Sequence, residues 1–180
     1  MHFLHVHVDA RDFKGDHLLN LGKIIAFSEP LIYALCASRR QDNTYCRPFR
    51  FSPMDLAGIS SRTFGRFMEG VARYHGTNFK AYDKFRTIEF RYHQATLNAD
   101  KITDWVIFCL HLMEKAKVIQ GDEDILLEKV TPTKDKVRDF LSWIDLPHSV
   151  IRTLMTRRSL DAYVPDDEPE FAYVTNSQLG

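Results

Sequence analysis

The residues best suited to chemistry lie on one face of a strand predicted over residues 85–93. Side chains alternate along a strand, so one face is apolar and the other carries Thr87, Glu89, Arg91 and His93. A carboxylate, a guanidinium and an imidazole on one face suit a cleft that binds a charged ligand. An edge strand that carries charge to prevent aggregation would show the same pattern. Both interpretations stay open on the pattern alone.

A second polar-faced strand is predicted over residues 2–9. Alternation groups His5, His7 and Asp9 on one face, opposite an apolar face. Two imidazoles at positions i and i+2 can ligate one cation or contact one phosphate. The alternative is an N-terminal strand whose histidines face solvent. A second polar-faced strand around Glu89 favours a shared site.

The other elements must hold these two strands side by side. A strand over 71–79 is expected to pair antiparallel with 85–93, and helices over 17–37 and 99–119 are expected on the apolar side of the sheet. We expect helix caps at Asp16, Asn98 and Thr133, and a further helix beginning near Pro147. The predicted fold class is therefore α+β, with an antiparallel sheet covered by helices on one face.

Length and composition indicate one globular domain over 1–160, followed by an acidic, flexible tail over 161–180. The 180 residues are 44% hydrophobic and 27% charged, which is ordinary for a globular protein. No apolar run is long enough to span a membrane, and no signal peptide pattern is present. Three cysteines without metal-ligand spacing predict reduced thiols and a cytoplasmic location, with Cys36 and Cys109 in the core.

The formal net charge of zero conceals an uneven distribution. Lys and Arg outnumber Asp and Glu between residues 39 and 91, whereas acidic residues dominate 120–180. A basic middle predicts an anionic ligand, such as a phosphate, a carboxylate or an acidic partner. A neutral total argues against non-specific nucleic-acid binding as the main function. Arginines in the 38–48 loop could instead neutralise the end of a helix.

Several short motifs occur in one order along the chain. They are His5-Val6-His7-Val8-Asp9-Ala10, Ser38-Arg39, Tyr45-Cys46, Arg73-Tyr74 followed by Asn78, Thr87-Ile88-Glu89-Phe90-Arg91, Thr96-Leu97, and Lys101-Ile102 followed by Trp105. This ordered set resembles the amidoligase family of ATP-dependent carboxylate–amine ligases, within the glutamine-synthetase-like superfamily. The resemblance covers roughly residues 4–160.

The resemblance implies a fold, cofactors and residue roles. Relatives fold as a curved antiparallel sheet whose groove holds ATP, magnesium or manganese, and a carboxylate that reacts through an acyl phosphate attacked by an amine. By this resemblance His5, His7 and Glu89 are metal ligands, and Glu89 and Arg91 are catalytic. His7, Arg39 and Arg73 are ATP or anion contacts.

The sequence departs from the family pattern in one respect. Relatives carry a Glu-x-Glu metal motif upstream of the His-x-His strand, and this sequence begins after that position. We expect another chain to supply the missing half, or a catalytically inactive remnant that acts as a protein-binding accessory or inhibitor through a basic groove; a start codon assigned too late is the third alternative. A homodimer or a protein partner is expected to cover the open sheet edge.

Overall fold

The computed structural model describes residues 4–36, 42–49, 51–69, 71, 73–120 and 130–156. The strands are β1 (Val6–Asp9), β2 (Thr77–Asn78) and β3 (Thr87–Phe90). The helices are α1 (Gly15–Ala34), α2 (Pro53–Ala57), α3 (Ser61–Glu69), α4 (Ala81–Phe85), α5 (Ala99–Val118), α6 (Lys134–Trp143) and α7 (His148–Met155). The predicted α+β class and the antiparallel pairing of the strands are confirmed.

β3 is the central strand of the sheet. The order is β1-β3-β2, and both neighbours run antiparallel to β3. The register places His7 of β1 opposite Glu89, and Asn78 of β2 opposite Glu89 from the other side. Directly opposed residues on neighbouring strands share a face. The pairing of the strands therefore brings three polar side chains to one point on the sheet.

The predicted strand over 71–79 is wrong for most of its length, because only Thr77–Asn78 is extended along β3. Upstream of it the backbone pairs with a different segment: the Arg47 N–H donates to the Tyr74 carbonyl (2.9 Å), and the Gly76 N–H donates to the Arg47 carbonyl (3.0 Å). Tyr74 therefore bonds to Arg47 and not to the sheet, whereas Gly76 bonds on both sides, because its carbonyl accepts the N–H of Arg91, just past β3 (2.7 Å).

The start of β3 is also later than predicted. Residues 81–85 form the short helix α4, and Arg86 ends it in the left-handed region with a φ of 56°. This residue turns the chain from α4 into β3, so the strand begins at Thr87 and not at residue 85. Arg86 also accepts a backbone hydrogen bond from Ala10 (2.9 Å), which ties the turn to the end of β1.

A buried polar network anchors helix α1 to the segment after β3. The Tyr92 hydroxyl donates to Glu29 of α1 (2.8 Å) and lies 2.9 Å from the Thr77 hydroxyl. The second oxygen of Glu29 accepts the Phe49 N–H (2.5 Å). Burial and then the nearby Glu29 charge raise the pKa of Tyr92, so the phenol stays protonated. This network satisfies polar groups that would otherwise be costly to bury.

The helices build one hydrophobic core that runs from Val6 to Leu154. Helix α5 packs against β1, whereas α1 packs mainly against α5, α2, α3 and α6. Asn98 and Thr133 cap α5 and α6 as predicted, each side chain accepting a backbone N–H three residues on. The N-cap of α1 is Lys14, so the cap predicted at Asp16 is wrong.

The cysteine prediction is confirmed for the two core positions. Cys36 and Cys109 are buried, and so is Cys46. None of the helices in the described part of the chain is both long and apolar enough to cross a membrane. The predicted tail over 161–180 lies outside the described residues.

Candidate functional site

Glu89 is the centre of the site, although only 4% of the residue is exposed. One carboxylate oxygen faces β1, where Oε1 lies 2.9 Å from His5 Nδ1 and 3.5 Å from His7 Nε2. The other faces β2: Oε2 accepts hydrogen bonds from Asn78 Nδ2 (2.7 Å) and Arg91 Nη2 (2.8 Å). We call Glu89, His5, His7, Asn78 and Arg91 the Glu89 cluster.

The partners of Glu89 keep it charged despite its burial. Burial on its own raises the pKa of a carboxyl group, but hydrogen bonds from Arg91 and Asn78, and then the positive charge of Arg91, outweigh it and hold the pKa of Glu89 below its ordinary value. The cluster therefore presents a fixed anion at neutral pH, with imidazoles on one side and a guanidinium on the other.

The two histidines differ in how they are held. His7 Nδ1 lies 2.9 Å from the Thr87 hydroxyl, so His7 bridges Thr87 and Glu89. His5 meets the carboxylate through Nδ1, which assigns its proton to that nitrogen in the neutral form and leaves the lone pair on Nε2. Their side chains are 39% and 41% exposed, so the imidazoles form the solvent-facing side of the cluster.

Tyr74 extends the cluster toward a second arginine. The Arg91 guanidinium lies 6.0 Å from the centre of the Tyr74 ring, and the Arg73 guanidinium lies 4.9 Å from it. Arg73 Nη2 also donates a hydrogen bond to the Tyr74 hydroxyl (2.7 Å). The Tyr45 ring meets Tyr74 edge-on, with 5.4 Å between the ring centres. Contacts thus run without a break from His5 to Arg73.

A protein-family model described as putative amidoligase enzyme matches residues 3–113. The chain belongs to this amidoligase family. Every residue of the Glu89 cluster, and Tyr45, Arg73 and Tyr74 as well, lies inside the matched segment. Comparisons with curated proteins and with solved structures gave no match.

Most site residues predicted for an amidoligase come together in the structure. His5, His7, Glu89 and Arg91 meet directly, and Arg73 joins them through Tyr74. Arg39 lies outside the described residues, so its predicted role stays a prediction.

His93 does not belong to the polar face to which the pattern assigned it. β3 ends at Phe90, and His93 is fully buried with its ring 5.1 Å from that of Trp105. Its Nδ1 lies 2.7 Å from the Gln94 carbonyl. Arg91, the first residue after the strand, still reaches Glu89, but the alternation does not extend as far as His93, and this interpretation of His93 was wrong. Asp9 also stays outside the cluster, because it forms an ion pair with Arg11 (2.6 Å).

Two contributors were present in the motifs but received no role from the sequence. Asn78 donates to Glu89 because β2 places it directly opposite that residue. Tyr74 follows Arg73 in the chain and packs against both arginines. No local pattern identified Asn78, because its position opposite Glu89 depends on strand register. The available signal for Tyr74 was an aromatic residue next to an arginine.

Whether the cluster fits a divalent metal depends on its donors. Within the described ranges, no group of three or more His, Cys, Asp or Glu side chains is arranged to hold a metal ion. Both oxygens of Glu89 are already engaged, Oε1 by the imidazoles and Oε2 by Asn78 and Arg91, so these residues as placed do not form a metal centre by themselves. The metal role of His5, His7 and Glu89 stays a prediction.

An apolar cavity lies elsewhere, between α1 and α6. Its volume is about 340 Å³, and its lining residues are Phe27, Leu31, Val130, Lys136, Asp139, Phe140 and Trp143. No member of the Glu89 cluster lines this cavity. The cluster itself is a surface site built on the sheet.

Proposed function

We propose that the chain takes part in ATP-dependent formation of an amide bond between a carboxylate and an amine, with the Glu89 cluster as the reacting site. Family membership supports the reaction class. The observation that carries the location is the meeting of three separate sequence segments, around His5–His7, Asn78 and Glu89–Arg91, at one buried charged carboxylate. Titratable groups whose pKa values are shifted by burial and by charged partners cluster at functional sites.

The reaction sets three demands on the protein. The terminal phosphoryl group of ATP moves to a carboxylate oxygen, which gives an acyl phosphate and ADP. The amine nitrogen then bonds to the carbonyl carbon, the bond from that carbon to the phosphate oxygen breaks, and the nitrogen loses a proton. The protein must therefore hold phosphate, hold carboxylate and accept a proton.

The pair His5 and Glu89 meets the demand for a proton acceptor. Glu89 takes the hydrogen bond from His5 Nδ1 (2.9 Å), so Nε2 carries the lone pair that accepts the proton of the amine. The charged carboxylate then stabilises the imidazolium that forms. A general base placed in this way contributes about 10²–10⁴-fold to a rate.

The exposed arginine of the site meets the demand for anion binding. Guanidinium groups bind phosphate and carboxylate oxygens in a fixed planar geometry. Arg73 lies on the Tyr74 ring next to the cluster, whereas Arg91 is already paired with Glu89. Magnesium or manganese would arrive with ATP, whose phosphate oxygens supply ligands that the cluster lacks.

The experiment offers ATP and magnesium, a panel of small carboxylates, and hydroxylamine as the amine. Ligation produces ADP and a hydroxamate in equal amounts. We expect Glu89→Gln to lower the rate at least about 100-fold, since the acceptor pair is lost. Glu114→Gln is the matched control, because Glu114 on α5 is exposed and pairs with Lys117, outside the cluster. Absence of ADP formation by the unaltered protein, or equal loss in both variants, would contradict the proposal.

A second candidate function is a protein-binding accessory or inhibitor module. The observation that favours it is the position of β1 at the edge of the sheet, where one side of the strand pairs with β3 and the other faces no strand among the described residues. Such edges recruit other chains. Here Glu89→Gln would leave the biological effect intact, whereas reversal of Arg39 and Arg47 to Glu would abolish binding to an acidic partner.

A further inference from the structure

Arg73 and Arg91 contact the same ring but differ in how their charge is balanced. Arg91 forms an ion pair with Glu89 (2.8 Å), and its side chain is only 12% exposed. Arg73 is exposed, and in the described part of the chain no carboxylate pairs with it; its contacts are the ring and the hydroxyl of Tyr74. The charge of Arg91 is therefore neutralised by Glu89, whereas the charge of Arg73 is not neutralised by a carboxylate in the described residues.

Tyr74 contacts the guanidinium of Arg73 with both its hydroxyl and its ring. Its hydroxyl accepts the hydrogen bond from Arg73 Nη2 (2.7 Å), and this contact raises the pKa of Arg73 further. Tyr74 is itself held on two sides: its carbonyl accepts the Arg47 N–H (2.9 Å), and the Tyr45 ring packs against it edge-on. An exposed arginine normally samples many rotamers, and the hydrogen bond and the ring contact with Tyr74 both favour the one seen here.

We propose that Tyr74 is a positioning residue that presents Arg73 to an oxyanion of the substrate, while Arg91 serves to hold Glu89. The inference rests on the proposed function for the location of the substrate, and it adds Tyr74, to which the sequence gave no role. The ligand chemistry is a phosphate or carboxylate group, which the planar donor fork of Arg73 can bind through two hydrogen bonds.

Preorganisation explains why Tyr74 should matter to binding. A guanidinium that is already ordered loses less side-chain entropy when the anion arrives. Hydrogen bonds to charged groups correspond to about 10-fold to 100-fold in affinity. Loss of Arg73 removes the hydrogen bonds to the anion. Loss of Tyr74 keeps those hydrogen bonds, but Arg73 must then lose its side-chain entropy when the anion binds.

The test is calorimetric binding of tripolyphosphate, and separately of glutarate, to the full chain without ATP turnover. We expect Arg73→Ala to weaken binding of the preferred anion at least about 10-fold. Tyr74→Leu should weaken it several-fold, and Tyr74→Phe, which keeps the ring but loses the hydroxyl, should lie between Tyr74→Leu and the unaltered protein. If tripolyphosphate binds more tightly, the anion is a phosphate; if glutarate binds more tightly, the anion is a carboxylate.

Arg152→Ala is the matched control, since Arg152 is an exposed arginine on α7, a helix that contains no tyrosine. It should leave binding unchanged. Equal losses in Arg152→Ala and Arg73→Ala, no loss in Tyr74→Leu, or no binding of either probe would each overturn the inference. If Tyr74→Leu does not fold, Tyr74→Phe decides the role of the hydroxyl. Because no ligation is measured, these outcomes are separate from failure of the proposed reaction.

Discussion

Glu89 shows how a single residue becomes a site through its neighbours. A carboxylate that is 4% exposed would ordinarily favour its neutral form, but four polar side chains from three segments surround it. The alternation of the two strands predicted that Glu89 and His7 share a face, and this prediction is confirmed by the 3.5 Å contact. It could not reveal Asn78, because register between strands depends on tertiary pairing.

The lowered pKa of Glu89 predicts a defined acid sensitivity. In the unfolded chain the carboxyl titrates near its ordinary pKa of 4.5, and in the folded chain it titrates lower. The unfolded state therefore binds the proton first, so the stabilisation is fully present above pH 4.5 and is lost as the pH falls through the folded pKa. We expect Glu89→Gln to remove this part of the pH dependence. Thermal melting of both proteins between neutral and acidic pH measures it.

The same substitution should also cost stability at neutral pH. A glutamine side chain at this position has one acceptor oxygen in place of two and cannot satisfy all the donors that the carboxylate satisfies. A buried group left without its partner costs about 1–3 kcal/mol. A stability gap between the two proteins that stays constant down to acidic pH would contradict the assignment of a lowered pKa to Glu89.

At the scale of elements, local signals located the helices better than the strands. Asn98 and Thr133 were identifiable as caps because capping is a local interaction of the side chain with the backbone three residues on. The strand predicted over 71–79 was wrong upstream of Thr77, where the Tyr74 carbonyl and the Gly76 N–H bond to Arg47, about thirty residues earlier in the sequence. No local pattern records such a pairing. β-propensity depends on such context more than helix propensity does.

Among the glycines in the described residues, Gly76 leaves the least room for a Cβ. A Cβ at Gly76 would overlap the ring of Tyr92, which is fully buried and fixed by its hydrogen bonds to Glu29 and Thr77. We expect Gly76→Ala to destabilise the protein by about 1–3 kcal/mol or more, as overpacking of a rigid core does. Chemical denaturation gives the free energy of unfolding.

Gly58→Ala provides the control for this measurement. Gly58 has a φ of −90°, and no atom lies within 4 Å of a Cβ placed there. The free energy of unfolding of the Gly58→Ala protein should change by only about a few tenths of a kcal/mol. Equal effects at both glycines would show that Tyr92 moves aside easily, and the described packing around Gly76 would be wrong.

At the scale of the whole molecule, the fold brings distant motifs together. The family match ends at residue 113, yet the core continues through α6 and α7 to Leu154. The α+β class followed from the alternation and helical periodicity of the sequence. The shortness of the sheet did not follow from it, because the lengths of β2 and β3 are set by where α4 and Arg47 take over the backbone.

The open edge of β1 leads to an expectation about assembly. We expect a homodimer or a stable complex whose interface includes residues 1–9 or the 39–50 loop, because unpaired strand edges and clustered arginines both attract other chains. Light scattering during size-exclusion chromatography gives the mass in solution. Arg47→Glu should weaken association more at low salt than at high salt, and Arg152→Glu should not. A monomer at high concentration, with no partner recovered from extract, would count against this expectation.

Binding of substrate at the Glu89 cluster can be followed through the side-chain nitrogen resonances of its two histidines. His5 and His7 belong to the cluster, whereas His148 lies exposed at the start of α7 and serves as an internal control. During titration of the ¹⁵N-labelled protein with magnesium and ATP, we expect saturable shifts of the His5 and His7 nitrogens and none at His148. Saturable nucleotide binding that leaves the His5 and His7 resonances unchanged would contradict binding of substrate at the Glu89 cluster.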